Sequence, residues 1–407
     1  MRKKNIYIEI TPFFPTEDSF RGAYIYDQVQ ALQRTGRFEE VYILRPASIF
    51  GRKLYYEYGG VRVFHFPCLE SPSYLLNGIF DSINKWLFRR WWKRNGWKAT
   101  EVTVAHAHVS TLAIYPLEIK KMNTLVTTVI QHHDLDPYTI RNGRWADKKW
   151  NLLFRTQRNI RVFNQIDHHI CVSEKVKESL LAFPQPRTGE CYDSYLQQLQ
   201  RLQEQQVRKA VIKRVSVLYN GVDSNKFYPE RKEKNGLFKI GCIANFVELK
   251  GHHTLLEACR LLIHDRGMTH IRLSLVGSGI LLDSCKEYVR RNNLTPYISF
   301  EQEVQHSELC NYYNSLDLFV LPSFFEGFGC VFTEAAACGI PFITCANQGV
   351  EDYIFPGERD KWLCPVNDSL QLANLIGQYI EKPLAQKLVH SWDIDILITD
   401  YLNKLEV

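Results

Sequence analysis

Residues 317–344, DLFVLPSFFEGFGCVFTEAAACGIPFIT, decide the fold. The apolar run 318–321 has the length of a buried strand and stops at Pro322 and Ser323. A helix is predicted to open near Gly327 or Phe328 and to carry Val331, Phe332 and three alanines. It closes at Gly339, where a left-handed cap is wanted, with Pro341 just beyond. Residues 342–344 start a second strand. Two strands joined by one helix in so little chain form a parallel crossover unit.

Two carboxylates lie in this unit. Glu326 falls in the loop at the carboxyl end of the first strand, where open α/β sheets place ligands. Glu334 is mid-helix, with Cys330, Val331, Ala337 and Cys338 three and four positions away, so it lies on an apolar face. A buried carboxylate needs donors. Gly327 and Gly329 allow backbone N–H groups to approach a ligand, and a helix N-terminus favours a phosphate. Two acids that bind hydroxyls, with an anion site between them, suit a nucleotide-sugar. A loop acid and a helix acid held in salt bridges account equally well for the spacing.

The run EGFGCVFTE, 326–334, resembles the Glu-x7-Glu motif of retaining glycosyltransferase family 4. That resemblance implies an α/β protein of the GT-B fold: two Rossmann-like domains with parallel sheets facing across a cleft. It implies an acceptor-side domain at 1–219, a nucleotide-sugar domain at 220–385, and a last helix at 386–407 crossing back. Companion segments occur in the family's order. Asn220, Gly221, Val222, Asp223, Phe227 and Pro229 are similar to the family's linker into the second domain. Lys250, followed by Gly251, matches the lysine that neutralises the donor diphosphate. Asn245 stands where the family commonly has arginine, so one cation is replaced by a weaker donor. Gly277 and Gly279 follow a strand and would let backbone approach the nucleotide. Phe328 lies between the two glycines of the donor loop, and Glu351 is a minor cleft candidate.

In the N-terminal half, Gly22 follows the first strand and its turn-rich loop, and looks like the family's glycine near the donor phosphates; a plain turn glycine is the other reading. Strand 125–130 ends in QHHDLDPY. The family's His-Gly-x-Asp is matched by His133-Asp134-Leu135-Asp136, with Asp134 in place of glycine. His133 thus resembles the histidine over the reacting sugar, with His132 as the alternative if the register slips. Another strand ends in His106 and His108. Asp134-x-Asp136 also fits the metal motif of the other glycosyltransferase fold, through which two carboxylates hold a divalent cation on a diphosphate. The expectation is no cofactor and no metal, because a lysine and a helix terminus can neutralise the diphosphate.

The chain has 407 residues, 45% hydrophobic, enough for two or three domains. A net charge of +6 permits a basic patch without requiring nucleic acid. Eleven cysteines, an odd number with no C-x-x-C pair, argue against a disulfide framework and for a reducing cytosol. The basic N-terminus runs straight into a strand with no signal-peptide core, and no apolar run has transmembrane length. A cytoplasmic protein is expected.

Segment 84–98, NKWLFRRWWKRNGWK, interleaves six cations with six apolar side chains. It reads as a helix lying on a membrane surface, or as an amphipathic helix whose tryptophans enter the core; base stacking is a third reading. The family resemblance favours peripheral membrane contact and a lipid-linked acceptor. The Gln-rich stretch 185–214 is longer than the family's connection, and no role follows from it. The expected activity is transfer of a sugar from a nucleotide-sugar to a saccharide or lipid-linked saccharide in cell-surface polysaccharide synthesis. Glu326, His133 and Lys250 would be catalytic. A nucleotide-sugar 2-epimerase and a non-catalytic sugar-nucleotide-binding subunit are the alternatives.

Overall fold

A computed structural model describes residues 4–17, 19–49, 55–70, 78–135, 148–230 and 236–406. The chain divides into two units, Met1–Tyr219 with Asp395–Val407, and Asn220–Ile394. Residues 386–394, expected with the returning helix, bond inside the second unit: Val389 N–H donates to Tyr353 O, and Val222 N–H to Trp392 O. The last helix is Ile394–Leu405.

Among the described residues, the first unit builds one sheet from β1 (Ile6–Ile10), β2 (Glu40–Ser48), β3 (Tyr55–Tyr58), β4 (Val61–Cys68), β5 (Val102–His108), β6 (Thr127–His132), β7 (His168–Cys171) and β8 (Val215–Val217). Their spatial order is β3-β4-β2-β1-β5-β6-β7-β8. Every pairing is parallel except β3 with β4. β3 and β4 form an antiparallel hairpin at the sheet's edge. Tyr55–Tyr58 alternates exposed and half-buried, as an edge strand does.

The second unit's sheet runs β11-β10-β9-β12-β13-β14, all parallel. Its strands are β9 (Phe238–Ile243), β10 (Ile271–Val276), β11 (Ile298–Glu301), β12 (Leu318–Leu321), β13 (Phe342–Cys345) and β14 (Leu363–Cys364). All four residues of β12 and of β13 are buried, as expected for strands covered on both faces. In each sheet the connections reverse direction beside one central strand, β1 in the first and β9 in the second. The carboxyl ends of β1 and β5, and of β9 and β12, flank those switch points, where open α/β sheets bind ligands.

The helix after β12 starts later than predicted, at Cys330. Phe328 is drawn out of helical register because its ring packs edge-on to Tyr353, with centroids 5.1 Å apart. Gly329, at φ 80°, then becomes the N-cap. Ser173 caps the helix Glu174–Ala182, accepting from Val176 N–H at 3.2 Å.

Most aromatic side chains of 84–98 lie in the core. On the helix Asp81–Arg94, Phe88, Trp91 and Trp92 are buried, and Trp97 packs on Tyr42, Phe64, Trp91 and Trp92. Trp86 alone of these tryptophans is exposed, at 52%, with the Arg90 guanidinium 5.5 Å from its ring. Ile79 and Ile83 are also exposed. All eleven cysteines are free thiols. Among the described residues no helix is long and apolar enough to cross a membrane.

Trp92→Ala should lower stability by about 3–5 kcal/mol, whereas Trp86→Ala should stay within about 0.5 kcal/mol of wild type. Chemical unfolding of the whole chain checks this, and equal losses would contradict the packing described.

Candidate functional site

At the second unit's switch point, the loop after β9 carries Asn245 and Lys250, and the loop after β12 carries Glu326. The Lys250 ammonium contacts Glu326 Oε1, to which Ser323 Oγ also donates at 3.3 Å. The two loops are joined by backbone as well: Phe324 N–H donates to Leu249 O at 2.8 Å. This contact explains Gly251. Its φ is 65°, and a Cβ there would lie 2.1 Å from Pro322 O.

Gln348 was not singled out from the sequence, and it braces the Glu326 loop. Its Oε1 accepts Glu326 N–H at 2.5 Å, while its Nε2 donates to Phe324 O and Ala346 O, both at 3.2 Å. Gly349 N–H closes the same loop onto Glu326 O at 3.0 Å. Glu351 is engaged structurally, with Arg359 at 2.8 Å and Asn347 N–H at 2.6 Å.

Glu334 is buried, and one donor comes from the protein itself: Tyr313 OH bonds its Oε2 at 2.7 Å. Burial, then the adjacent carboxylate, push the Tyr313 phenol well above its ordinary range, so it remains a donor. Thr333, one residue earlier, ties the helix to Asn220 O at 3.0 Å. Beside Lys250, His252 stacks on Phe246 at 4.2 Å. Burial, and secondarily the Lys250 charge, hold His252 down at about 4, so it is neutral at neutral pH.

Gly277 and Gly279 are required by the backbone packed against them. A Cβ at Gly277 would sit 2.3 Å from Ala244 O, and one at Gly279 would sit 2.5 Å from Phe246 O. The glycines let their loop press against the loop that carries Asn245, and Phe246 N–H donates to Ser278 O at 2.8 Å. Asn245 itself is exposed.

Gly22 and His133 belong to the first unit. Gly22, at φ 91°, starts the helix Ala23–Arg34, and a Cβ there would lie 2.7 Å from Phe13 O. The same helix start brings Tyr24 edge-on to His133, with centroids 5.3 Å apart. His133 Nε2 lies 3.0 Å from His108 Nδ1. His132 points elsewhere; it is buried and bonds His169 at 2.9 Å. Asp136, and with it half of the Asp134-x-Asp136 motif, lies outside the described residues. A cavity of about 380 Å³ opens at the carboxyl ends of β1, β2, β4 and β5, lined by Pro12, Pro46, Glu70, Asp81, Asn84 and Tyr115 among others.

Residues 223–393 match the family described as Glycosyl transferases group 1, and residues 22–188 match Glycosyltransferase Family 4. A glycogen synthase of Mycobacterium tuberculosis is 27% identical over 173 residues, 42% of this chain and 41% of the synthase. The chain thus aligns with less than half the length of that curated relative. Among solved structures, the sucrose-phosphate synthase from Thermosynechococcus elongatus superposes with a TM-score of 0.68 at 17% identity, covering 99% of this chain and 94% of that one. Anabaena Alr3699/HepE, solved with UDP and glucose, superposes with a TM-score of 0.65 at 16% identity, covering 99% of both chains. These likenesses show the GT-B fold.

Gly251→Ala should destabilise the second unit and separate Lys250 from Glu326. Gly267→Ala is the control: its φ of 69° carries similar backbone strain, but nothing lies within 4 Å of the added Cβ. We expect about 1–3 kcal/mol more loss at Gly251 than at Gly267 in chemical unfolding. Equal losses would contradict the close loop contact.

Proposed function

Because the chain belongs to the family 4-type glycosyltransferases of the GT-B fold, we propose that it transfers a sugar from a nucleotide-sugar to a saccharide or lipid-linked saccharide with retention of anomeric configuration. The observation that carries this reading is the meeting of Lys250 and Glu326 at the second switch point, one turn of loop ahead of a helix N-terminus. An ammonium and free helix N–H groups suit a diphosphate; a carboxylate beside them suits sugar hydroxyls.

Breaking the bond from the anomeric carbon to the diphosphate builds positive charge on the sugar and negative charge on the leaving phosphate. Lys250 and the N–H groups around Gly327, Phe328 and Gly329 stabilise the phosphate as that charge grows. Glu326 exchanges its contact with Lys250 for sugar hydroxyls, and Gln348 keeps its loop in place. Glu334, oriented by Tyr313, takes the ribose hydroxyls. Asn245 adds a neutral donor to the phosphates, and Gly277 and Gly279 hold its loop in position. On the first unit, Gly22 contributes a helix start and His133 a contact to the reacting sugar. The first unit's cavity offers the Glu70 carboxylate for acceptor hydroxyls, while Asp81, which also lines it, is held by Arg158 through both oxygens. No metal is required for this neutralisation.

The donor is proposed to be a UDP-sugar, because Alr3699/HepE has been solved with UDP-glucose. A role in polysaccharide synthesis accords with the name of the glycogen synthase relative. The Ile79, Ile83 and Trp86 face, bordered by Arg89, Arg90 and Lys93, is the proposed contact with the inner surface of an anionic membrane, now reduced to one exposed tryptophan.

Lys250→Ala and Glu326→Ala should each reduce UDP release from a UDP-sugar by about a hundredfold or more while leaving the unfolding midpoint nearly unchanged. Full activity in Glu326→Ala would remove the central assignment. In sedimentation with anionic vesicles, the wild type should pellet and Trp86→Ala should pellet less; absence of wild-type binding would end the membrane proposal.

A further inference from the structure

β1 carries a charged residue where a sheet covered on both faces has no water to offer. Glu9 is buried in the middle of an otherwise apolar strand. The register of β1 with β5 sets Glu9 opposite His106. His108, two residues further on, lies on the same face. Glu9 Oε2 is 3.1 Å from His106 Nδ1 and 2.8 Å from His108 Nε2. The other nitrogen of His108, Nδ1, is 3.0 Å from His133 Nε2. The three imidazoles form a stack: His106 and His108 centroids are 4.6 Å apart, and those of His108 and His133 are 5.3 Å apart. Behind them, Tyr7 OH lies 2.9 Å from His106 Nδ1 and 2.7 Å from Tyr401 OH. Glu9 therefore heads a continuous chain of side chains that ends at half-buried His133.

The hydrogen bonds in this chain fix one another. Burial alone would raise the Glu9 carboxyl, but His106 and His108 hold it down at about 2, so it is ionised and only accepts. Burial lowers His108 despite the pull of Glu9, and burial with the neighbouring histidines lowers His133 well below its ordinary value. Both imidazoles are neutral at neutral pH, with one proton each. His108 must place its proton on Nε2 to satisfy Glu9. Its Nδ1 is then a lone pair and must accept from His133 Nε2–H. That leaves the lone pair of His133 on Nδ1.

We propose that Glu9 and His108 are positioning residues that lock His133 as its Nε2–H tautomer, so that Nδ1 accepts a hydrogen bond from a sugar hydroxyl. The inference rests on the reading that His133 meets the sugar, and it assigns the direction of that hydrogen bond. The relay resembles the way a buried carboxylate orients an imidazole in hydrolases, extended here by a second imidazole.

The same side chains set up a sharp contrast. Glu9, His106 and His108 offer ligand atoms within 4.8 Å of one another. A cation held there would take the Nε2 lone pair of His108, move its proton to Nδ1, and make His133 Nε2 the acceptor. His133 would then present Nδ1–H, the opposite tautomer. A ligating histidine also ordinarily donates its second N–H to an acceptor, and buried His106 Nε2 has none among the described residues. The hydrogen-bonded relay is the arrangement these atoms satisfy.

The test is long-range ¹H–¹⁵N NMR of the full chain labelled with ¹⁵N-histidine at neutral pH, with His133→Gln used to assign the His133 signals. The expected result is a proton on Nε2 and a lone pair on Nδ1. A proton on Nδ1, with or without stoichiometric zinc in the protein, overturns the proposal. A kinetic arm uses His108→Phe, which keeps the ring stack and removes both nitrogens. His108→Phe and His133→Gln should each lower kcat for UDP release from UDP-glucose about tenfold, the worth of one hydrogen bond, with KM nearly unchanged. The double variant should lose no more than either single one, because both remove the same interaction. Additive losses would overturn the relay. If the wild type releases no UDP, the proposed function fails for this donor, and the tautomer alone decides the relay.

Discussion

The contact of Lys250 with Glu326 is the interaction around which the second unit's site is arranged. A partly exposed ion pair contributes only about 1 kcal/mol to stability, too little to hold two loops in place. The frame comes from elsewhere: the Gly251 approach to Pro322, the bond from Phe324 N–H to Leu249 O, and the three hydrogen bonds of Gln348. The pair thus adds little to the loops' rigidity but is held by it. An ammonium and a carboxylate that can separate at small cost suit a donor with an anionic end and a hydroxylated end.

Both units handle buried acids in the same way, by supplying internal donors. Glu334 takes the Tyr313 hydroxyl, and Glu9 takes two imidazoles. Neither acid is left to be satisfied by a ligand alone, because an unpaired buried carboxylate costs several kcal/mol. In each case the partner fixes the acid's orientation before any substrate arrives, and so lowers the ordering cost of binding.

The sequence made some of this legible and hid the rest for physical reasons. Continuous apolar runs such as 318–321, closed by proline and glycine, announced the parallel crossover, since a strand buried on both faces has little freedom of composition. Lys250 stands out by its match to the family's lysine and Glu326 by its place after a strand, and the fold brings the two side chains together. The helix starts two or three residues later than the sequence implies, because the Phe328 ring packs on Tyr353 and tertiary packing overrides local propensity. At Gly277 and Gly279 the sequence signals close backbone approach without naming the neighbouring loop that makes it, the one carrying Ala244 and Phe246. The tryptophans of 84–98 were ambiguous because a helical stripe shows that a face is apolar, not what covers it. Glu9 was invisible as a partner of His106 and His108. Those residues are about a hundred positions apart, and only strand register joins them. A charge inside a fully apolar strand was the one available hint.

The central claim is that the second unit's site cleaves a nucleotide-sugar for transfer. The most direct measurement is nucleoside diphosphate release from a panel of UDP-, GDP- and ADP-sugars, with and without saccharide acceptors, with product analysis. Release from one donor class should rise when acceptor is added and yield a glycosylated acceptor with the donor's anomeric configuration. Binding without release from any donor, or release that yields only a free epimer independent of acceptor, would contradict it.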